Sequence, residues 1–297
     1  MSAARNWISP RLAAELISSG TNAFRMASGH DFWIERFGDT ALISLRPGPD
    51  AGELADSIES TGWTPRRVYV RHLVRNPGEK DTPVLLRGEP DVPAIETVSE
   101  NGLFYELDFS ASYSPGLFPD QRLNRQFLKQ KNPRRVLNTF AYTCAFSLAA
   151  ASCGAETLNV DISKSSLERG RRNFELNRIP TDGHRFIPED VPTFLRRLFK
   201  RGEKFDAIIL DPPTFGRSGT GKTFRFERDF PQLLECASQL ASAGAAILLS
   251  TNFTAWDTSA LITCARGILP SKTAYHSTPP PPDFFGMSPS STVWALL

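Results

Sequence analysis

The chain has 297 residues, 40% hydrophobic and 22% charged, which is enough for one large or two modest domains with real cores. Lys and Arg outnumber Asp and Glu by only 34 to 32, so no global field gathers nucleic acid and any such contact must come from local patches. No apolar run approaches the roughly 18 residues of a membrane span, and Cys144, Cys153, Cys236 and Cys264 lie too far apart to suggest a metal-ligand pair. A reduced, cytoplasmic setting without a metal is expected.

In chain order, a short helix is predicted over 10–19. Apolar strands over 32–37 and 40–45 flank Gly38-Asp39, the pattern of a hairpin with a two-residue turn. A helix over 51–60 and an alternating strand over 66–74 follow, then a Pro-, Gly- and charge-rich stretch over 76–93, then strands near 95–98 and 103–109. This reads as a small α+β unit over 1–112, an accessory domain that could contact RNA.

From Asp120 the grammar changes. Helices are predicted over 121–130, 147–153, 163–176, 192–201, 230–241 and 259–269. They alternate with strands that open at Arg134 and continue over 157–161, 184–187, 207–210 and 245–249. Such alternation implies right-handed crossovers and a Rossmann-like doubly wound, mostly parallel sheet over 113–297. Residues 277–290 are rich in Pro and Ser and are expected to be a loop. A last strand over 293–297 is expected to pair antiparallel with 272–276.

Asp161, Asp190 and Asp211 each end or follow a predicted strand. Consecutive strand ends of a doubly wound sheet line one crevice, and a carboxylate after the second strand can accept both hydroxyls of a ribose. Asp211 opens the stretch Asp211-Pro-Pro-Thr-Phe215. Pro212 and Pro213 have fixed φ angles and no N–H, so their carbonyls stand as rigid acceptors beside the acid, and Phe215 offers a face for a flat heterocycle. Together these groups could hold a nucleobase by edge and face. The bland alternative makes each acid a helix cap or a turn residue.

The loop after the first strand, Asn138-Thr-Phe-Ala-Tyr-Thr-Cys-Ala-Phe146, has no glycine. A pyrophosphate cradle is therefore disfavoured, while a phosphate-free adenosyl ligand fits. Gly216-Arg-Ser-Gly-Thr-Gly-Lys-Thr223 matches the P-loop pattern of nucleotide triphosphatases letter for letter. A P-loop needs its first glycine directly off a buried strand and its Lys-Thr opening a helix; here Asp-Pro-Pro-Thr-Phe intervenes and Thr223-Phe-Arg-Phe starts no apolar-periodic helix.

Gly116-Leu-Phe-Pro-Asp-Gln-Arg122, Val136-Leu-Asn-Thr-Phe-Ala-Tyr-Thr143, Asn159-Val-Asp161 with Asn173-Phe-Glu-Leu-Asn177, and the acidic stretch that ends at Phe215 occur in the order found in the ribosomal RNA large-subunit methyltransferases. The chain resembles that family from about Leu103 onward. The resemblance implies S-adenosylmethionine as cofactor. It implies that Thr139, Phe140, Tyr142 and Thr143 surround its methionine end, that Asp161 holds the ribose and Asp190 the adenine amine, and that Gln121 approaches the cofactor. By the same resemblance Asp211, Pro212, Pro213 and Phe215 face the methyl group and the target base. The family usually has Thr-Gly-Gly or Thr-Gly-Ser where this chain has Thr143-Cys144-Ala145.

Methylation of a base carbon needs a nucleophile, usually a thiolate. No cysteine follows Asp211-Pro-Pro, and Ser250-Thr-Asn stands where the cytosine branch of the family carries one. Transfer to a ring or exocyclic nitrogen is expected; Asp211-Pro-Pro-Thr-Phe with Arg228-Asp-Phe and Ser250-Thr-Asn resembles the guanine-N7 branch of the family, which puts guanine N7 first, with cytosine C5 as the alternative. Basic residues Arg122, Arg125 and Lys129, in a run that continues through Lys131, Arg134 and Arg135, and Arg217, Lys222 and Arg225 after the acidic corner are the candidate RNA contacts. An NTP-binding protein built on 216–223 and an RNA-binding module without catalysis are the rivals from other classes.

Overall fold

The computed structural model describes residues 6–74, 82–90, 93–217, 223–285 and 289–297. Two compact units emerge: Met1–Pro119 with Pro281–Gly286, and Asp120–Pro280 with Met287–Leu297. The first extends past the boundary expected at 112. The Asp108 N–H donates to the Pro115 carbonyl at 2.8 Å, and the Arg71 guanidinium reaches the Tyr113 carbonyl at 3.3 Å and lies over its ring.

The first unit comprises β1 (Asn6–Trp7), α1 (Pro10–Ser18), β2 (Ala23–Ser28), β3 (Phe32–Phe37), β4 (Thr40–Leu45), α2 (Ala51–Glu59), β5 (Arg67–His72), β6 (Val84–Arg87), β7 (Ile95–Glu100) and β8 (Leu103–Asp108). The first six strands form a mixed sheet in order β1-β2-β3-β4-β5-β6, with β4 and β5 parallel, and β7-β8 is a separate hairpin. The helices α1 and α2 start where Ser9 and Asp50 cap them by accepting from Leu12 and Glu53 N–H groups. Their apolar faces close the core around Phe24, Ile34, Ile43, Leu54 and Ile58. The hairpin is tied to the sheet by Arg67, whose guanidinium reaches the Pro93 and Ile95 carbonyls and the Glu96 carboxylate.

The second unit comprises α3 (Arg122–Lys131), β9 (Arg135–Thr139), α4 (Ala145–Ala151), β10 (Glu156–Asp161), α5 (Lys164–Leu176), β11 (His184–Pro188), α6 (Val191–Lys200), β12 (Phe205–Leu210), β13 (Phe215–Arg217), β14 (Thr223–Arg225), α7 (Phe226–Ser238), β15 (Ala241–Thr251), α8 (Thr258–Arg266), β16 (Ala274–His276) and β17 (Ser291–Leu296). Its sheet runs β11-β10-β9-β12-β15-β17-β16, parallel except for β17, which pairs antiparallel with both neighbours. Leu137, Ile208, Leu210 and Ile247 face the core under α6, α7 and α8. Val136, Ala207, Ile209 and Leu248 face Leu128 of α3 and Phe146 and Ala150 of α4. A strand apolar on both faces is what a helix-covered parallel sheet requires, and this is the Rossmann-like architecture expected from the alternation.

The chain steps outward from β9 through β10 to β11, then returns to β12 on the other side of β9. The order therefore reverses between β9 and β12, and open α/β sheets bind ligands at the carboxyl end of such a switch point. Thr139 and Leu210, the last residues of those strands, are in register. Among the described residues no helix is long and apolar enough to cross a membrane.

Candidate active site at the switch point

Three acids ring the carboxyl edge of the sheet. Asp161 is the last residue of β10; its Oδ2 accepts from the Tyr142 N–H and its Oδ1 from the Ser163 N–H, both at 2.8 Å. Burial raises its carboxyl above the usual range, while those two amides pull the other way. Asp190 caps α6, with Oδ2 accepting from the Thr193 N–H at 3.2 Å and its hydroxyl at 2.7 Å. The cap reading of this acid is thus correct as local structure, and it leaves the carboxylate at the strand end.

Asp211 follows β12 at the switch point. Burial, chiefly, and the nearby Asp120 charge push its carboxyl up to about 6, against a Ser250 hydrogen bond and the Arg125 charge. Pro212 is buried and Pro213 exposed. The Thr214 hydroxyl donates to Asn252 Oδ1, and its carbonyl accepts from the Phe226 N–H at 3.2 Å. The acidic corner is thereby pinned to the end of β15 and the start of α7. The side chains of Phe215 and Arg217, and Lys222 altogether, lie outside the described residues.

The glycine-free loop adopts a glycine-like backbone. Phe140, Tyr142 and Cys144 have φ of 52°, 48° and 61°, a left-handed region that costs a residue with a Cβ roughly 1–2 kcal/mol. Several bonds hold it there. The Ala141 N–H donates to the Val160 carbonyl at 3.0 Å and the Cys144 N–H to the Ala141 carbonyl at 2.7 Å. The Thr139 hydroxyl donates to the Ile209 carbonyl at 2.6 Å, and Asn173 Nδ2 donates to the Thr143 carbonyl at 3.0 Å. Room for the Cys144 side chain comes from Gly170 of α5, where a Cβ would stand 2.5 Å from Sγ. The Phe140 ring faces Phe224 of β14 at 6.0 Å, and the Tyr142 ring lies under Arg169 at 5.9 Å.

Gln121 is buried in a side-chain network with Asn124, Ser250 and Ser290. A cavity of about 490 Å³ opens beside this network, lined among others by Asp120, Asn124, Thr258, Thr278, Ser290 and Thr292.

The expected RNA contacts divide. Arg122 and Arg125, expected as RNA contacts, are each only 2% exposed, too buried to reach a phosphate from solvent; Arg125 lies over the Phe146 ring and its charge bears on Asp211. Arg134 and Arg135 stand at the opposite, amino edge, where the Asp206 carboxylate takes both backbone N–H groups and Glu203 the Arg135 guanidinium. Lys129 is half-buried, eight residues and about 12 Å along α3 from Gln121. Arg225 is exposed, at the start of α7.

Sequence reasoning did not single out Asp120, Ser290 or Ile162, and used Ser250 only as the place where a cysteine is missing. Ser250 had a usable signal, its place at the carboxyl end of a predicted strand, and so did Ile162, an apolar residue directly after a strand-end acid, which is 52% exposed. Of the P-loop pattern, residues 218–222 lie outside the described residues; Gly216 and Arg217 pair with Phe224 and Thr223 as antiparallel strands, and the next helix starts only at Phe226.

Residues 60–297 match the family described as S-adenosylmethionine-dependent methyltransferase. Ribosomal RNA large subunit methyltransferase I of Aeromonas salmonicida is 37% identical over 174 residues, 58% of this chain and 43% of that protein. The protein of the same name from Yersinia pseudotuberculosis is 37% identical over 259 residues, 82% of this chain and 62% of its own length. The chain thus spans less than two thirds of these relatives. Among solved structures, SMU.776 in complex with SAH superposes with a TM-score of 0.81 at 23% identity, covering 97% of this chain and 78% of that one, a likeness of fold.

Proposed function

The chain belongs to the S-adenosylmethionine-dependent methyltransferase family, and on that premise we propose that it methylates a base nitrogen of ribosomal RNA, guanine N7 before others. The bound cofactor supplies an electrophilic methyl group on a sulfonium. Everything else falls to the chain. Asp161 suits the ribose, because its two amide donors fix the carboxylate and leave lone pairs for two hydroxyls. Asp190 uses Oδ2 for its cap, and Oδ1 is assigned to the adenine amine. Ile162 supplies an apolar cover for the ring. Thr139 to Thr143 line the methionine end, and the corner from Asp211 to Phe215 receives the base.

RNA as the substrate class rests on the names of the relatives. The choice of nitrogen rests on one observation, the state of the four cysteines. Cys144 is buried, and burial with the Asp161 charge raises its thiol well above the ordinary value. Cys236 and Cys264 lie on α7 and α8, and Cys153 just after α4. None offers a thiolate beside Asp211, as addition to cytosine would need. A nitrogen lone pair needs only alignment and electrostatic support. Nucleoside analysis of RNA methylated by the protein should yield 7-methylguanosine; 5-methylcytidine alone would sink the choice of nitrogen.

Two substitutions separate the cofactor from the RNA. Asp161→Ala should weaken S-adenosylmethionine binding by ~10–100-fold in calorimetry, the loss of about two charge-assisted hydrogen bonds; unchanged affinity would remove Asp161 from the site. Arg225→Glu should weaken RNA binding and lower the slope of log affinity on log salt by about 1, with cofactor affinity unaltered. A loss of cofactor affinity there would count against a phosphate contact.

A further inference from the structure

The cavity of about 490 Å³ beside the Gln121 network has the size of a small-molecule site and no part in the cofactor contacts. Six of its lining side chains are Ser or Thr, one is the Asp120 carboxylate and one the Asn124 amide, with no Lys, Arg or His among them. Such a wall suits a neutral group rich in hydrogen-bonding atoms and is a poor seat for a phosphate. Hydrogen bonds orient its polar side chains. The Trp294 indole N–H can only donate, so its 2.9 Å contact fixes Asn124 Oδ1 as an acceptor. The Asn124 NH2 then donates to Thr292 Oγ1 at 3.2 Å and to Gln121 Oε1 at 2.9 Å. The Gln121 NH2 donates in turn to Ser290 Oγ at 2.8 Å, which leaves the Ser290 hydrogen for Asp120 Oδ2 at 2.5 Å. Asp120 thus lines the cavity as an oriented acceptor. Also on the lining, the Thr278 hydroxyl oxygen is buried without a hydrogen-bond partner, a costly state that a bound polar group relieves.

The sheet register places this cavity beside the Asp211 corner. Leu210 pairs with Leu249 and Ser250 with Thr292, so Asp211, Ser250 and Thr292 follow one another across β12, β15 and β17. Neighbouring strands lie about 4.8 Å apart, which puts the Thr292 backbone about 10 Å from Asp211. It stands on the opposite side of β12 from β9 and β10, whose ends are assigned to the cofactor. A purine with a hydrogen bond at each edge can bridge such a distance. We infer that the cavity receives the six-membered ring of a guanine, with Asp120 accepting from its N1–H and N2–H groups while N7 points back to the methyl group at Asp211. This assignment rests on the guanine-N7 reading and names the group that selects the base. A carboxylate offers only acceptors. Guanine presents two adjacent donors to it. Adenine and cytosine each place an acceptor nitrogen beside their amine, which would set a lone pair against a carboxylate oxygen.

The test titrates the full chain with guanosine, inosine and adenosine and follows the methyl signals of Thr278 and Thr292 by NMR. Inosine keeps N7 and N1–H and lacks only the N2 amine. Guanosine should shift both signals. Inosine should bind about tenfold more weakly, the loss of one charge-assisted hydrogen bond, and adenosine more weakly still. Asp120→Asn should bring guanosine and inosine to within about twofold of each other and leave affinity for S-adenosylmethionine unaltered. Thr278→Val, which keeps the shape and removes the hydroxyl, should weaken both nucleosides alike. Equal affinity for guanosine and inosine in the wild-type protein, an undiminished preference in Asp120→Asn, or competition between guanosine and S-adenosylhomocysteine would each overturn the inference. If the preference and its loss are both observed but RNA methylated by the protein carries no 7-methylguanosine, the N7 reading fails and the guanine pocket stands.

Discussion

Asp211→Asn is expected to cut methyl transfer by ~10²–10³-fold, the usual scale for one preorganised electrostatic group, while making the protein more stable. The second half follows from linkage. The Asp211 carboxyl titrates at about 6 in the fold, above its ordinary 3.8, because burial outweighs the Ser250 hydrogen bond and Arg125. A raised acid binds more protons folded than unfolded, so its contribution to stability is greatest at low pH and is lost as pH rises through about 6. Above that, the buried anion costs up to ~3 kcal/mol. Asparagine removes the charge at nearly constant shape. Thermal unfolding near pH 8 should therefore shift upward by several degrees, with little shift near pH 4. An equal shift at both pH values, or a loss of stability, would mean that Asp211 is not held as a costly anion.

The second large effect concerns a glycine far from the loop in sequence. Replacing Gly170 inside α5 by Ala should gain roughly 1 kcal/mol of helix propensity. It should instead destabilise the protein by ~1–3 kcal/mol and weaken cofactor binding about tenfold, because the new Cβ meets Cys144 Sγ at 2.5 Å and Cβ at 3.1 Å. The strain falls on a loop already holding three side chains at positive φ. Cys144→Gly in the same chain should restore both quantities, since glycine takes φ of 61° without penalty and vacates the space. The cycle should thus show a strong favourable coupling. A stabilised Gly170→Ala with unchanged cofactor affinity would show that the two positions are independent.

That pair also explains why the loop's left-handed backbone was not legible in the sequence. A local rule looks for glycine where the backbone must turn left-handed. Here the conformation is imposed by hydrogen bonds to Asp161, Val160 and Ile209 and from Asn173, and the glycine that makes room is on a helix. The strand-end acids were legible because period and position suffice to place them. Arg122 and Arg125 were not, because a count along the chain ignores that residues three apart share a helix face, here with Leu128 in the core. β2 was passed over for a related reason: Arg25 interrupts its apolar pattern, yet it is buried against Glu35 and the Phe284 ring. Ser290 sits in a Pro- and Ser-rich stretch where only the fold shows which hydroxyl meets Gln121.

The central claim is that one crevice at the β9–β12 switch point holds the adenosyl cofactor on its β10 side and brings its sulfur to Asp211. A crystal structure of the protein with S-adenosylhomocysteine tests this directly. The ribose hydroxyls should lie within hydrogen-bond reach of Asp161 and the sulfur beside the Asp211-Pro212 corner, with the loop from Thr139 to Thr143 against the homocysteine end. Ligand density elsewhere, or a ribose turned away from Asp161, would contradict the account.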